Sequence, residues 1–280
     1  MLVDAVGTCH VPATNGARIV SLVPSLTELL FDLALGEQLV GRTGYCVHPA
    51  DAVAAVAEVG GTKQPDLARI GGLGATHVLM NVDENRREDA QALAEMGIVV
   101  VATHPLHPLD NPPLYRLLGA LFDRRAQAEA LATSFHQAYD ALLEQRVGAT
   151  ERRVLYLIWR KPYMSVSTPT YISRMLALVG LRTVPEGSEQ RYPRIDLDAG
   201  LARGLDWILL SSEPFPFADK HRTEIEDRLH AAMPGETLPR ITFIDGEMMS
   251  WYGSRAISGL RYLGRFARCL DDIEAGRRTA

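Results

Sequence analysis

Three cysteines in 280 residues, Cys9, Cys46 and Cys269, are too few and too irregularly spaced to build a disulfide framework, and no CxxC pair marks a redox or zinc site. Nowhere does the chain hold the ~18 uncharged apolar residues that a membrane-crossing helix needs, so insertion into a bilayer is not expected. The first residues, MLVDAVGTCHVPATNGAR, lack a basic start and the ~7–15-residue apolar core of an export signal, so the sequence as it stands reads as cytoplasmic. Runs of Lys or Arg are also missing. With a formal charge of −5 and one basic pair, Arg277-Arg278, in the tail, a nucleic-acid partner is not expected. The common catalytic signatures are absent as well: there is no G-x-x-x-x-G-K-[ST], no H-E-x-x-H and no G-x-S-x-G. GGLGAT at 71–76 lacks the third glycine of a dinucleotide fingerprint and precedes a strand instead of following one.

What the chain does have is alternation. An apolar fraction of 47% over 280 residues supports one large or two ordinary domains. In RIVSLVPSLTELLFDLALGEQLVG, Ile19 to Val23 reads as a strand buried on both faces. Ser25 and Glu28 fit a capping box, and Leu26, Leu29, Leu30 and Leu33 give the stripe of an amphipathic helix. THVLMNV predicts a strand, ENRREDAQALAEMG a helix closed by Gly97, and IVVVAT the next strand. From Pro112 to Val147 only helical spacing remains. Nothing interrupts the stretch from Arg124 to Val147, which predicts a helix of ~35 Å at about 1.5 Å per residue.

The alternation then resumes. RVLYLIW, DWILLSS and ITFID read as strands. Helices are expected from Thr168-Pro169 to Gly180, over ADKHRTEIEDRLHAAM, and over SRAISGLRYLGRFARCL. An internal echo supports two related halves: Asp66-Leu67 precedes Val78-Leu79 by twelve residues, and Asp196-Leu197 precedes Ile208-Leu209 by the same twelve. The expected fold class is α/β, with two Rossmann-like α/β lobes joined by one long backbone helix and a ligand cleft between the lobes. The expected boundaries are 18–111, 112–148 and 149–272.

Large aromatics fall at expected strand ends, several beside a charge. Tyr45 is one. Trp159 has Arg160 and Tyr163 after it. Tyr192 lies in QRYPRID, Phe215 follows Glu213, and Trp251 follows Glu247. Rings at such positions suit a broad, flat, partly apolar ligand, with charged neighbours gripping its polar rim. Two other chemistries stay open. His48, His104 and His107, with Asp245 or Glu247, offer donors for Zn, Fe or Mn, either carried as an ion or used by a cytosolic metalloenzyme, though no pair has a diagnostic spacing. Asp245 and Glu247 also form a carboxylate pair at a strand end, but no partner nucleophile accompanies them.

Taken together and in order, RIVSLVPSLTELLFDLALGEQLVGRTGYCVHP, NVDENRREDAQAL, LIWRKPYM, RYPRIDL, LLSSEPFPF and DGEMMSWYGSR resemble the helical-backbone metal receptors. These are the class III periplasmic substrate-binding proteins, here most similar to their cobalamin-binding branch. The resemblance covers roughly Arg18 to Cys269. It implies a non-catalytic binding protein of the ABC-transporter type with no required cofactor, whose ligand is a corrinoid, a ferric siderophore or haem. By the same resemblance, Tyr45 matches a tyrosine lining the corrinoid site, Tyr192 stands where that branch has a tryptophan, and Glu247 where it has an aspartate. Trp159 and Tyr163 lie in a loop that contributes an aromatic there. Asp198 matches an acid that docks on a membrane permease, while Ala68 replaces its counterpart in the first lobe. Thr62 stands in place of a ligand-flanking tryptophan.

Overall fold

The computed structural model describes residues 2–13 and 16–276, so Arg277-Arg278 lies outside the described residues. The chain divides into two compact units. One comprises Met1–Pro105, Leu109–Gln137 and Trp251–Ile257; the other comprises Leu106–Pro108, Ala138–Ser250 and Ser258–Ala280.

The first unit opens with an antiparallel hairpin, β1 (Leu2–Val3) and β2 (Cys9–His10). There follow β3 (Ile19–Ser21), α1 (Pro24–Asp32), β4 (Leu39–Arg42), α2 (Ala50–Ala54), β5 (Ala57–Glu58) and α3 (Leu67–Gly72). Then come β6 (His77–Asn81), α4 (Arg87–Glu95), β7 (Val99–Thr103), α5 (Asn111–Leu121) and α6 (Arg125–Gln145). The strands β3 to β7 form one parallel sheet in the order β5-β4-β3-β6-β7. Every residue of β3 and β6 is buried, as runs without polar alternation require of central parallel strands. The path turns to β4 on one side of β3 and to β6 on the other, which makes the β3/β6 boundary the switch point of this sheet. At its far edge, β7 would be open, but the hairpin covers it. Ala5 N–H donates to Ala102 O (3.0 Å), and Ala102 N–H donates to Asp4 Oδ2 (3.1 Å).

The expected capping box does not form. The helix begins at Pro24, whose lack of an N–H suits the first position, so Val23 becomes the N-cap and no side chain caps it. Ser25 therefore lies inside the first turn. Glu28 instead makes a two-pronged ion pair with Arg255, 2.7 and 2.8 Å.

The second unit holds β8 (Arg152–Trp159), β9 (Met164–Ser165), α7 (Tyr171–Ala177), β10 (Leu181–Thr183) and α8 (Ala199–Ala202). It continues with β11 (Trp207–Ser211), α9 (Asp219–Ala232), β12 (Arg240–Ile244), α10 (Gly246–Ser250) and α11 (Arg255–Glu274), whose first residues, Arg255 to Ile257, belong to the first unit. Strands β10-β8-β11-β12 are parallel in that order, with β9 antiparallel on β8. Here the switch point lies between β8 and β11. The core gathers Leu155, Leu157, Ile208, Leu210, Ile225 and Leu229. α7 starts two residues later than Thr168-Pro169 suggested, because Thr170 is the cap and accepts from Ser173 N–H (3.2 Å).

The internal echo is real at the strands and shifted at the helices. β6 and β11 each follow a short helix whose N-cap is an aspartate. Asp66 accepts from Arg69 N–H and Asp198 from Leu201 N–H, each at 2.9 Å. Asp198, not Asp196, is thus the counterpart of Asp66. α8 is four residues long where α3 has six, so its cap sits two residues nearer its strand.

Candidate functional site

In the first unit the segments that follow β3, β5, β6 and β7 are tied to one another by side chains. Asn85, buried just beyond β6, donates from Nδ2 to Leu22 O (3.2 Å) across the switch point and to Thr62 O (2.9 Å); its Oδ1 accepts from Asn81 N–H (2.7 Å). Asn81 Oδ1 in turn accepts from Asp83 N–H (2.8 Å), which shapes the tight turn that aims Asp83 and Glu84. Lys63 Nζ donates to Asp83 O (2.7 Å), and His104 Nε2 lies 3.3 Å from Asp83 Oδ1.

The segment after α10 completes this face. Tyr252, buried, donates its hydroxyl to Glu84 Oε1 (3.1 Å); burial, reinforced by the Glu84 charge, pushes its phenol well above the usual range. Gly253 N–H donates to Asn111 Oδ1 (2.6 Å), and Tyr115 donates its hydroxyl to Gly253 O (2.8 Å). Gly253 has φ +80°, and a Cβ there would stand 3.2 Å from Ser25 O, so the turn needs glycine.

Tyr45 projects from the loop after β4 and is 65% exposed. Its ring edge lies 3.6 Å from where a Cβ on Gly61 would be. Three residues on, His48 meets Trp251 edge to face, with centroids 5.5 Å apart. Trp251, expected from its sequence position to present its ring, is only 8% exposed. The loop that carries it folds back, and the indole backs the Tyr45 loop from beneath.

In the second unit the switch point is aromatic. Trp159 ends β8 and is 41% exposed. Phe215 N–H donates to Ile158 O, so the loop after β11 folds back along β8 and brings its ring against Trp159 at 6.0 Å. Beneath them Phe215 packs edge-on to Phe217 (4.9 Å) and to His221 (5.1 Å). His221 Nδ1 accepts from Ala218 N–H (2.9 Å). Burial first, then Lys220 and Arg160, hold His221 below the ordinary imidazole value, so it is neutral at pH 7.

Tyr163 is a core residue, 9% exposed within the hydrophobic cluster of this unit, and so is not a surface ring either. Arg160 does not reach out as an unpaired cation. It is paired with Glu224, and the hydrogen bond from its guanidinium holds the Glu224 carboxyl below the usual range. Glu213 accepts from the Ser250 hydroxyl, which fixes its carboxylate beside α10. Glu247 lies half-buried in the first turn of that helix, and Tyr192 is 39% exposed on the loop before α8.

The expected aromatic set therefore separates by exposure. Tyr45, Trp159 and Tyr192 present surface, while Tyr163 and Trp251 are buried and Phe215 is half-buried under Trp159. His48, His104 and His107 are not assembled as a metal centre. Among the described residues, no group of three or more His, Cys, Asp or Glu side chains is placed to hold an ion. Sequence reasoning missed Asn85, Glu224, His221 and the Glu28–Arg255 pair. Only Asn85 carried a local signal, as the second asparagine of a turn-forming NVDEN.

Two parallel α/β sheets, each with a switch point between its central strands, make an open α/β fold of the kind that binds ligands beyond the carboxyl ends of its strands. The sequence matches the periplasmic binding protein family over residues 19–232, and the chain belongs to that family. It is 26% identical over 199 residues to the vitamin B12-binding protein of Pectobacterium carotovorum subsp. carotovorum, covering 70% of this chain and 72% of that one. The Photorhabdus laumondii subsp. laumondii vitamin B12-binding protein is 25% identical over 194 residues, covering 69% and 70%. Among solved structures, the periplasmic vitamin B12 binding protein BtuF of Vibrio cholerae superposes with a TM-score of 0.76 at 17% identity, covering 91% of this chain and 98% of that one. The periplasmic heme-binding protein RhuT from Roseiflexus sp. RS-1 gives 0.73 at 17%, covering 90% and 98%. These likenesses carry the fold. No helix among the described residues is long and apolar enough to cross a membrane.

Proposed function

We propose that this protein is a non-catalytic solute-binding protein for a metal chelate, and that the chelate is a corrinoid. The observation that carries the reading is the sequence likeness to vitamin B12-binding relatives over about 70% of this chain, and the half-exposed Trp159 packed on Phe215 at the switch point of the second unit supports it. The relatives named for vitamin B12 favour a corrinoid over haem, because they match in sequence where the heme-binding neighbour matches in fold. Glu213 and Glu247 supply acceptors for amide N–H groups on the ligand's rim, and Tyr45, Trp159 and Tyr192 supply its apolar contacts.

Delivery to an ABC permease is part of the same reading. Asp198 is the docking acid of the second unit. Asp66, exposed at the equivalent helix N-cap, takes the part in the first unit that Ala68 cannot.

Titration with cyanocobalamin, cobinamide and hemin tests the ligand. Saturable binding of a corrinoid is expected, weakened in Trp159→Ala. The exposed part of that residue is roughly 100 Å², worth about 2.5 kcal/mol at ~25 cal/mol per Å², or roughly seventy-fold in Kd. Absence of any heat or absorbance change with corrinoid, haem and ferric chelate at about 50 μM would end the proposal.

A further inference from the structure

We infer that the loop carrying Tyr45 is set in its binding position by a clamp made of Glu28 and Thr27 on α1 and of Trp251 and Arg255 beyond α10. The inference rests on the reading that Tyr45 meets the ligand. Thr27 and Glu28 are neighbours on α1, and the contacts from each lead to the same loop. Thr27 Oγ1 donates to the Cys46 thiol (3.0 Å), and Thr43 Oγ1 lies 3.2 Å from the same sulfur. Glu28 grips Arg255 with two hydrogen bonds, the Arg255 guanidinium lies 4.9 Å over the Trp251 indole, and Trp251 meets His48. Cys46 and His48 lie one and three residues after Tyr45 on the same loop. The chain of contacts closes on itself, so the exposed ring stands on a loop pinned at two points.

The geometry also explains a charge pair with no other evident task. Arg255 and Glu28 side chains are 11% and 20% exposed, so the pair is shielded from solvent and directional. A bidentate carboxylate fixes the guanidinium plane, and that plane decides where the indole lies. Lysine keeps the charge and loses the plane.

Cys46 is a built-in reporter of the clamp. It is 2% exposed, and burial pushes its thiol above the ordinary range, so it reacts only when the loop opens. In a Cys9→Ser, Cys269→Ser background, the rate of labelling by a disulfide reagent is expected to rise about ten-fold in Glu28→Gln and by a smaller factor in Arg255→Lys. Cobinamide affinity in the same variants should fall roughly five- to twenty-fold, with far-UV circular dichroism unchanged. A merely structural pair would lower the melting temperature without exposing Cys46 selectively. Parental labelling and parental affinity in Glu28→Gln overturn the clamp. Faster labelling with unchanged affinity overturns its role in binding. Should the parent protein bind no cobinamide, the ligand reading fails by itself and the labelling rates alone decide the clamp.

Discussion

Replacing Asn85 isolates what holds the first unit's face together. The side chain is 7% exposed and makes three hydrogen bonds, to Leu22 O, Thr62 O and Asn81 N–H. Asn85→Ala removes all three, each worth about 1 kcal/mol net, and strands Leu22 O and Asn81 N–H where water enters poorly. The expected loss is about 3–4 kcal/mol. At roughly 1–3 kcal/mol per M, that lowers the urea midpoint of the first unit by at least ~1 M. Asn85→Asp sharpens the test. It keeps the acceptor for Asn81 N–H but turns a carboxylate oxygen toward two carbonyl oxygens, so it should be no more stable than the alanine variant despite near-identical shape. Urea unfolding followed by circular dichroism, with hydrogen exchange resolving residues 61–64 and 81–85, measures both variants. A loss under about 1 kcal/mol for Asn85→Ala, or parental stability for Asn85→Asp, would refute the reasoning.

Three further outcomes follow from the geometry. A Cβ on Gly246 would stand 2.4 Å from Glu213 Cγ and 2.8 Å from its backbone N, so Gly246→Ala should cost about 1–3 kcal/mol and displace Glu213, read as a lower melting temperature together with weaker corrinoid binding. His77 and His221 are both held below the ordinary imidazole value, chiefly by burial. The unfolded chain therefore binds their protons first, and their contribution to stability is full above about pH 6.5 and is lost as pH falls below it through the lower folded-state values. Denaturation midpoints should drop from pH 7.5 to 5.5, and less so in His221→Gln; equal slopes would count against a buried neutral imidazole. Asp66→Ala and Asp198→Ala should each cost about 1 kcal/mol through lost caps, and stimulation of a cognate permease's ATPase should fall further in the double variant than in either single one.

Much of this architecture is legible in the residues. Uniform apolar runs such as Val78–Met80 and Ile208–Leu210 announce central parallel strands, and they lie where expected. The repeat was readable to within two residues, because strand spacing is conserved between the halves and only the helix cap moved. Local chemistry misled where a competing local feature won: Pro24 took the first helical position and moved the cap to Val23. The aromatic positions were visible, but their exposure was not. Whether a ring at a strand end faces water depends on whether its loop folds back, as those of Phe215 and Trp251 do. Glu28 and Arg255 are separated by 227 positions, and no periodicity in either helix links them.

Tyr252, Gly253 and Arg255 complete the first unit although nearly the whole second unit precedes them in the chain. On a ribosome, Glu84, Asn111, Tyr115 and Glu28 must wait for partners made more than 130 residues later. At about 5–20 residues per second, that delay is roughly 7–30 s. A fragment stopped after α6 would lack these four contacts. The N-terminal unit is thus finished only once Trp251–Ile257 has been made, which ties its completion to the start of α11.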